Sequence, residues 1–402
     1  MEHLLVYIAL LMLLYCLFSG RIGSWGITMP MVFLAIGVAF SFGGPVLTLA
    51  SVGVFHNLAE ITLALLLFAD ATVLRRQTLE NIRQRTFRML AFGLPCAIFL
   101  GAIINLLLLP SWPLWEACLL AALLAPTDAA LGQSIQSNEY IPQALRDVIN
   151  AESGLNDGLA LPFVIFFAGL AIGGGEGDHS GTKLLPLIAS QIGLGAFVGL
   201  AGGFAAGKLR NFVLRRNMMD QGLGKTVSLV LVGFIFFAAD HVGGNSFIAV
   251  FIGGIAFANA VDGPVHHARH FLEGDGQFLA ILSFFFIGML FVPEAFNYLT
   301  MNDLLIVGIS LFAVRPVAIW LSLIGTETTI NERLFYGWFG PRGLATVLFA
   351  VFVVMDFEGV KNIDGIFTIV ITAVLISAYA HGITAKYAPE IFKLKSRTKQ
   401  DE

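Results

Sequence analysis

The amino-acid sequence predicts an all-helical polytopic membrane protein with about thirteen transmembrane helices. Three observations predict this class: the composition, a series of apolar segments along the whole chain, and the one-sided placement of the basic residues. Of the 402 residues, 57% are apolar and only 12% are charged, and the mean hydropathy is +0.83. Soluble globular chains carry about 25% charged residues, so this composition excludes an ordinary soluble protein.

The apolar segments are long enough to cross a bilayer, which takes about 20 apolar residues, or fewer where neighbouring helices cover the ends. Spans are expected at 4–19, 27–41, 57–74, 88–109, 114–134, 143–172, 184–207, 225–241, 246–260, 266–292, 302–324, 333–354 and 363–385. The cysteines Cys16, Cys96 and Cys118 lie inside these segments at unrelated spacings. Neither a disulfide framework nor a cysteine metal site is therefore expected.

The Lys and Arg residues predict the orientation, because short cytoplasmic loops of membrane proteins are enriched in them. With an odd number of spans and the N-terminus outside, 19 of the 23 basic residues fall on the inner side, including the segment at 75–88. The acidic segments GEGD at 175–178 and DFE at 356–358 then lie outside. The sequence thus predicts an external N-terminus and a cytoplasmic C-terminus.

Few strongly polar groups fall at mid-span, where an unpaired charge costs several kcal/mol. The candidate functional residues among the polar groups of the spans are Asp70, Thr127, Asp128, Glu152, Ser153, Asn156, Asp157, Arg315 and Arg342. Positions four apart share a helix face, so Ser153 stacks with Asp157, and Glu152 stacks with Asn156 on the next strip. The first strip offers oxygen ligands to a small hard cation, and the second offers a carboxylate that an arginine can hold. The alternative is that these groups only join helices by hydrogen bonds.

Two spans contain a proline at mid-length, Pro126 in APTDAA and Pro341 in FGPRGL. Proline removes a backbone donor and clashes with the preceding turn, so each helix must break or kink there. The first break lies in the fifth span. The second lies in the twelfth span, which is the fifth of the set that begins with the eighth. Such paired interruptions indicate an inverted-repeat transporter with its site between the repeats. The repeats are expected at 1–172 and 225–385, with a linker span and loop at 173–224 and a short cytoplasmic tail at 386–402.

These motifs resemble those of the monovalent cation–proton antiporters, and within them the NhaP-like sodium/proton exchangers. The resemblance rests on LFADA (67–71), APTDAA (125–130), ESGLNDG (152–158), RP (315–316) and GWFGPRGLA (337–345). It implies an NhaA-like antiporter fold of two inverted six-helix repeats with interrupted crossing helices, and a transport bundle at about 88–172 and 302–385. It also implies a homodimer in contact with lipid in a prokaryotic plasma (inner) membrane. Neither a cofactor nor a nucleic-acid partner is expected.

The resemblance assigns cation and proton binding to one cluster. Asp157 is the carboxylate that takes a proton or the cation in turn, and Asn156 stands where electrogenic relatives have a second Asp. Ser153 and the main-chain carbonyl of Thr127 are cation ligands, with Asp128 close by. Asp157, Ser153 and Thr127 would therefore hold a bound Na⁺.

The same resemblance assigns structural ion pairs to Glu152, Arg315 and Arg342. The favoured pairing joins Glu152 to Arg315 and Asp128 to Arg342, and the exchanged pairing stays open. Asp70 occupies the place of an acidic accessory residue in the third span.

The expected activity is exchange of Na⁺ or Li⁺ for H⁺ by alternating access, with the two ions competing at Asp157. Because Asn156 cannot ionise, an electroneutral 1:1 cycle is expected. K⁺/H⁺ exchange on the same scaffold stays open, because selectivity depends on cavity size and ligand flexibility. An intramembrane aspartyl protease would need two carboxylates sharing a proton, in YD and GxGD motifs. The intramembrane NDG and PTDAA segments match neither motif, so no enzyme is expected.

A histidine cluster, His266, His267 and His270, falls in an expected cytoplasmic loop. It can be interpreted as a pH sensor because histidine titrates near neutral pH. A solvated basic loop is the preferred interpretation.

Overall fold

The computed structural model describes residues 2–42, 49–72, 74, 84–173, 180–220, 223, 226–262 and 266–394. All regular secondary structure in these ranges is helical. Seven helices are long and apolar enough to cross a membrane, and six shorter apolar helices accompany them. These thirteen segments coincide one to one with the predicted spans, which confirms the all-helical membrane class. The acidic loop at 175–178, most of the basic segment at 75–88 and the tail beyond 394 lie outside the described residues.

The first part of the chain forms helices whose bounds follow the apolar segments closely. They are α1 (Glu2–Ser24), α2 (Met29–Ser41), α3 (Leu49–Ala71), α4 (Gln84–Leu108), α5 (Leu114–Leu123), α6 (Ala129–Gln136) and α7 (Gln143–Gly173). Pro30 lies in the first turn of α2, where its missing N–H would have no helical partner in any case.

The second part continues with α8 (Ser180–Arg215), α9 (Thr226–His241), α10 (Ser246–Ala260), α11 (266–298), α12 (Met301–Ser322), α13 (Ile330–Trp338), α14 (Leu344–Asp356), α15 (Ile363–Lys386) and α16 (Ala388–Ile391). Side-chain caps define several starts. Thr329 precedes α13, where its hydroxyl accepts a hydrogen bond from Glu332 N (3.2 Å) and its own N–H donates to Glu332 Oε2 (2.8 Å). This reciprocal capping box satisfies two N–H groups that the helix leaves free.

Both predicted proline breaks are present. The span expected at 114–134 ends as a helix at Leu123 and resumes at Ala129, with Pro126 between the halves. The span expected at 333–354 divides into α13 and α14 around Pro341. The prediction of interrupted crossing helices is thus confirmed.

Two other helices share an irregularity that hydropathy does not predict. A π-helical turn at Met89–Gly93 precedes Pro95 in α4, and a π-helical turn at Ser310–Val314 precedes Pro316 in α12. A third lies at Ile287–Phe291 in α11. Each π turn inserts a residue and rotates the side chains that follow. Since α4 and α12 are the fourth spans of the two expected repeats, the first two turns occupy corresponding positions.

The helices pack in two groups. In the first, α4 packs on α5 and α12, and α7 packs on α5 and α14, which in turn contacts α15. In the second, α10 lies against α8 and α3, while α11 packs on α2 and α3. Contacts between the groups join α3 to α7 and α14, α7 to α8 and α10, and α11 to α15.

Small residues allow the closest contact within the second group. Helix α8 has a glycine at every fourth position from Gly195 to Gly207. A Cβ atom at Gly199 would overlap the carbonyl oxygen of Ala249, and one at Gly203 would overlap that of Gly253. The backbones of α8 and α10 are therefore in direct contact, as small residues at this spacing permit in membranes.

Candidate cation and proton site

The two helix breaks meet inside the first helix group, and Asp128 joins them. Its N–H donates to Pro341 O at 2.8 Å. Its Oδ1 accepts from Leu131 N (3.0 Å) in the first turn of α6, and its Oδ2 accepts from Leu344 N at the start of α14. A helix N-terminus carries free N–H groups and a partial positive charge. One buried carboxylate therefore caps two facing N-termini.

The positive charge of Arg342 lies at the negative, C-terminal end of helix α5. Its Nη1 donates to Ala125 O (3.0 Å) and Pro126 O (2.9 Å), carbonyls just beyond the end of α5. These oxygens belong to the negative end of a helix dipole, where a cation is favourable. The side chain is only 2% exposed.

The favoured pairing of Asp128 with Arg342 stays a prediction. The half-helix ends present backbone N–H and C=O groups directly to these side chains, and each charge binds the helix end of opposite sign.

Arg315 pairs with Glu152, one of the two pairings that the sequence left open. Nη1 lies 3.2 Å from Oε1 and Nη2 lies 3.1 Å from Oε2, with side-chain exposures of 5% and 2%. This bidentate geometry is the strong form of an arginine–carboxylate contact. A Cβ atom at Gly340 would overlap the Arg315 guanidinium. The arginine thus also lies against the backbone just beyond α13, where its charge opposes that helix's negative end.

Asn156 and Ser153 attach α7 to the first break. Asn156 Nδ2 lies 3.2 Å from both Ala125 O and Thr127 Oγ1, and 3.3 Å from Glu152 Oε1. Ser153 Oγ donates to Thr127 O at 2.7 Å. Two of the expected cation ligands, the Ser153 hydroxyl and the Thr127 carbonyl, are therefore adjacent and buried.

Asp157 lies one turn beyond Ser153 on α7 and is 2% exposed. Its Oδ1 is buried and has no hydrogen-bond partner among the residues that the structure describes, and the same holds for Asn156 Oδ1. The charged side chains that act on this carboxyl are Asp128, Glu152, Asp70 and Arg342. A buried charged carboxylate is costly unless it is neutralised or paired.

Asp70 is near the end of α3 and only partly buried. The cluster His266, His267 and His270 starts α11, so the expected loop is helical in its backbone, and the three side chains lie outside what the structure describes. Sequence reasoning also missed Ser377, whose hydroxyl accepts a hydrogen bond from Arg342 N at 2.7 Å. The available signal was a serine and a histidine four residues apart in the last span.

The chain resembles known proteins in both sequence and fold. The family described as sodium/hydrogen exchanger, transmembrane, matches residues 6–388. Over 392 residues the chain is 26% identical to a protein named K(+)/H(+) antiporter NhaP2 from Shewanella sp. (strain MR-4), covering 96% of this chain and 66% of that protein. It is 25% identical over 309 residues to Na(+)/H(+) antiporter 2 of Zygosaccharomyces rouxii, covering 73% of this chain and 38% of that protein. The chain thus spans 66% or less of the length of these curated relatives.

Among solved structures, the sodium proton antiporter MjNhaP1 from Methanocaldococcus jannaschii has the same fold. The TM-score is 0.81 at 20% identity, over 99% of this chain and 100% of that one. Its structure at pH 8 gives a TM-score of 0.76. The resemblance inferred from the motifs is thereby confirmed. Members of the matched family are cation/proton antiporters, which are transporters and not enzymes and need no cofactor. Since the match covers residues 6–388, this chain belongs to the sodium/hydrogen exchanger family.

Proposed function

We propose that the protein exchanges Na⁺, and also Li⁺, for H⁺ across a prokaryotic plasma membrane, with the two ions competing at Asp157. The observation that carries this proposal is the buried Asp157 carboxyl, whose Oδ1 has no hydrogen-bond partner in the described part of the chain. It lies one helical turn from the contact between Ser153 and the Thr127 carbonyl. Carboxylate, hydroxyl and carbonyl oxygens are hard ligands suited to an alkali cation and not to a soft metal.

The residues around Asp157 suggest how the exchange is coupled. A proton or a cation neutralises the carboxylate, so the site can cross the membrane interior with either ligand, whereas the bare charge is costly to bury. The Ser153 hydrogen, which now points to Thr127 O, would turn away so that both oxygens face the cation. Arg315 and Asn156 hold Glu152, and Glu152 in turn fixes the position of the helix break at Thr127.

For alternating access, we propose that the bundle at about 88–172 and 302–385 moves against the remaining helices. The two packing groups and the corresponding breaks support this division and the inverted repeats at 1–172 and 225–385. The external N-terminus and cytoplasmic C-terminus are supported by the basic residues, and the homodimer by the family resemblance.

The proposed activity is tested by dequenching of a pH-sensitive dye in vesicles that contain the purified protein. The vesicle lumen is first acidified, and NaCl or LiCl is then added to the outer medium. Either salt is expected to release protons from the lumen rapidly, and choline chloride is the control. A response to KCl larger than that to NaCl would favour K⁺/H⁺ exchange, the second candidate, which the name of the Shewanella relatives supports. A lack of response to all three cations would refute antiport.

Exchange is expected to be electroneutral, one proton for one monovalent cation. Asn156 cannot ionise, and its Nδ2 lies 3.3 Å from Glu152 Oε1, where an amide fits and a second carboxylate would be repelled. Arg315 is already engaged by both oxygens of Glu152. The initial Na⁺/H⁺ exchange rate in proteoliposomes should therefore not change when a membrane potential is imposed. A rate that rises steeply with the potential would contradict a single titrating carboxylate.

A further inference from the structure

The break before α14 is held from α15 by a short chain of hydrogen bonds. Arg342 N donates to Ser377 Oγ at 2.7 Å, and Ser377 Oγ lies 3.0 Å from His381 Nδ1. Nδ1 is also 3.0 Å from the Ser377 carbonyl oxygen. All three side chains are buried, with 2%, 0% and 3% exposure. The Ser377 carbonyl oxygen can only accept, so its contact with Nδ1 requires the tautomer in which Nδ1 carries a hydrogen. Ser377 Oγ accepts from Arg342 N and lies within hydrogen-bond distance of the same Nδ1–H.

The first half of the chain has the same arrangement. Ser153 contacts the residue that follows Pro126, and a titratable side chain, Asp157, comes four positions later on the same helix. Ser377 contacts the residue that follows Pro341, and His381 comes four positions later. The pair Ser377 and His381 therefore corresponds to the pair Ser153 and Asp157.

The two halves differ in what their serines hold. In the first half Ser153 holds the proposed ligand itself, the Thr127 carbonyl. In the second half Ser377 holds Arg342. The Arg342 guanidinium binds the carbonyls of Ala125 and Pro126, the two residues that lead directly into Thr127.

We propose that Ser377 and His381 are positioning residues for cation binding. They fix the backbone of Arg342, which in turn fixes the carbonyls on either side of Pro126 and so directs Thr127 O towards the cation. This inference rests on the proposed function above. Because the pair acts through Arg342 and does not touch the cation, its loss changes the affinity for the cation more than the maximal rate.

Dye dequenching as a function of the NaCl concentration tests this inference. Ser377→Ala and His381→Leu are each expected to raise the apparent KM for Na⁺ about tenfold, the effect of one hydrogen bond lost from a buried donor. The maximal rate and the thermal stability in detergent should stay close to the wild-type values. His381→Asn retains an N–H donor near the position of Nδ1 and should restore a near wild-type KM. Thr368→Ala, a buried hydroxyl elsewhere on α15, is the matched control.

An unchanged KM in Ser377→Ala would overturn the inference, and so would equal impairment in His381→Asn and His381→Leu. Lower thermal stability at unchanged KM would show that the pair only supports the fold. If Ser377→Ala cannot be purified, the two His381 variants decide. Wild-type protein that exchanges no cation would refute the proposed function itself, which separates the two failures.

Discussion

The Asp157→Asn variant is expected to lose all cation/proton exchange and yet remain folded. Asparagine has nearly the same shape but can neither release a proton nor supply a negative charge to a cation. Asp157 forms none of the salt bridges found in the described ranges, so its removal breaks no ion pair there. Within the same ranges its Oδ1 has no hydrogen-bond partner to lose. Dequenching in vesicles measures the activity, and gel filtration in detergent reports the folded state.

Asp147→Asn provides the matched control for this prediction. Asp147 lies on the same helix, α7, two to three turns towards its start, where it accepts a hydrogen bond from Gln143 at an exposed position. Exchange by this variant should equal that of the wild type. Retention of exchange by Asp157→Asn would contradict the role given to this carboxylate. If the variant aggregated, Asp157→Glu, which keeps the charge but moves it, should fold and exchange weakly.

Glu152→Ala and Arg315→Ala are expected to lower the free energy of unfolding by about 3–5 kcal/mol each, because each leaves an uncompensated buried ion. The two groups are 2% and 5% exposed and share two hydrogen bonds. Glu152 also forms hydrogen bonds with Asn156 and Thr127, so the Glu152→Ala variant should also have a less ordered backbone at the break around Pro126. Thermal unfolding in detergent and the amount of protein in the membrane measure the effect.

The ion pair of Arg215 with Asp262 is the control for the buried pair. Its N–O distance is 2.7 Å, shorter than in the buried pair, but the side chains are 77% and 58% exposed. Solvent screens exposed pairs, whose loss costs about 0–1 kcal/mol. Arg215→Ala should therefore unfold close to the wild-type temperature. An Arg315→Ala protein that is as abundant and as heat-stable as the wild type, and merely inactive, would show that the buried pair is not structural.

The spans and the two breaks could be predicted from the sequence because each depends on local chemistry. Apolar length determines which segments can cross a bilayer, and Pro126 and Pro341 interrupt helices wherever they occur inside one. Glu152 and Asp157 stand out because carboxylates are expensive at membrane depth. The π turns escaped prediction because the hydrophobic pattern does not indicate them, although those in α4 and α12 each lie just before a proline, Pro95 or Pro316.

Helix spacing alone could not predict the partners of the buried charges. Spacing along α7 shows that Glu152 and Asp157 lie on neighbouring strips, but not which arginine reaches them. The choice is made by the crossing of the half-helices, which gives Arg342 the carbonyls of Ala125 and Pro126. Ser377 was missed because a serine in an apolar span is most often a simple helix contact.

The most direct test of the central claim counts protons released when the cation binds. Purified protein in weakly buffered detergent, with a pH indicator, is titrated with NaCl over a series of starting pH values. Competition at Asp157 predicts saturable release approaching about one proton per protomer where the carboxyl starts protonated, since a ligand must lose its proton to bind a metal ion. Asp157→Asn should release none. Sodium binding by the wild type without proton release, or equal release by the variant, would contradict competition of both ions for this one carboxylate.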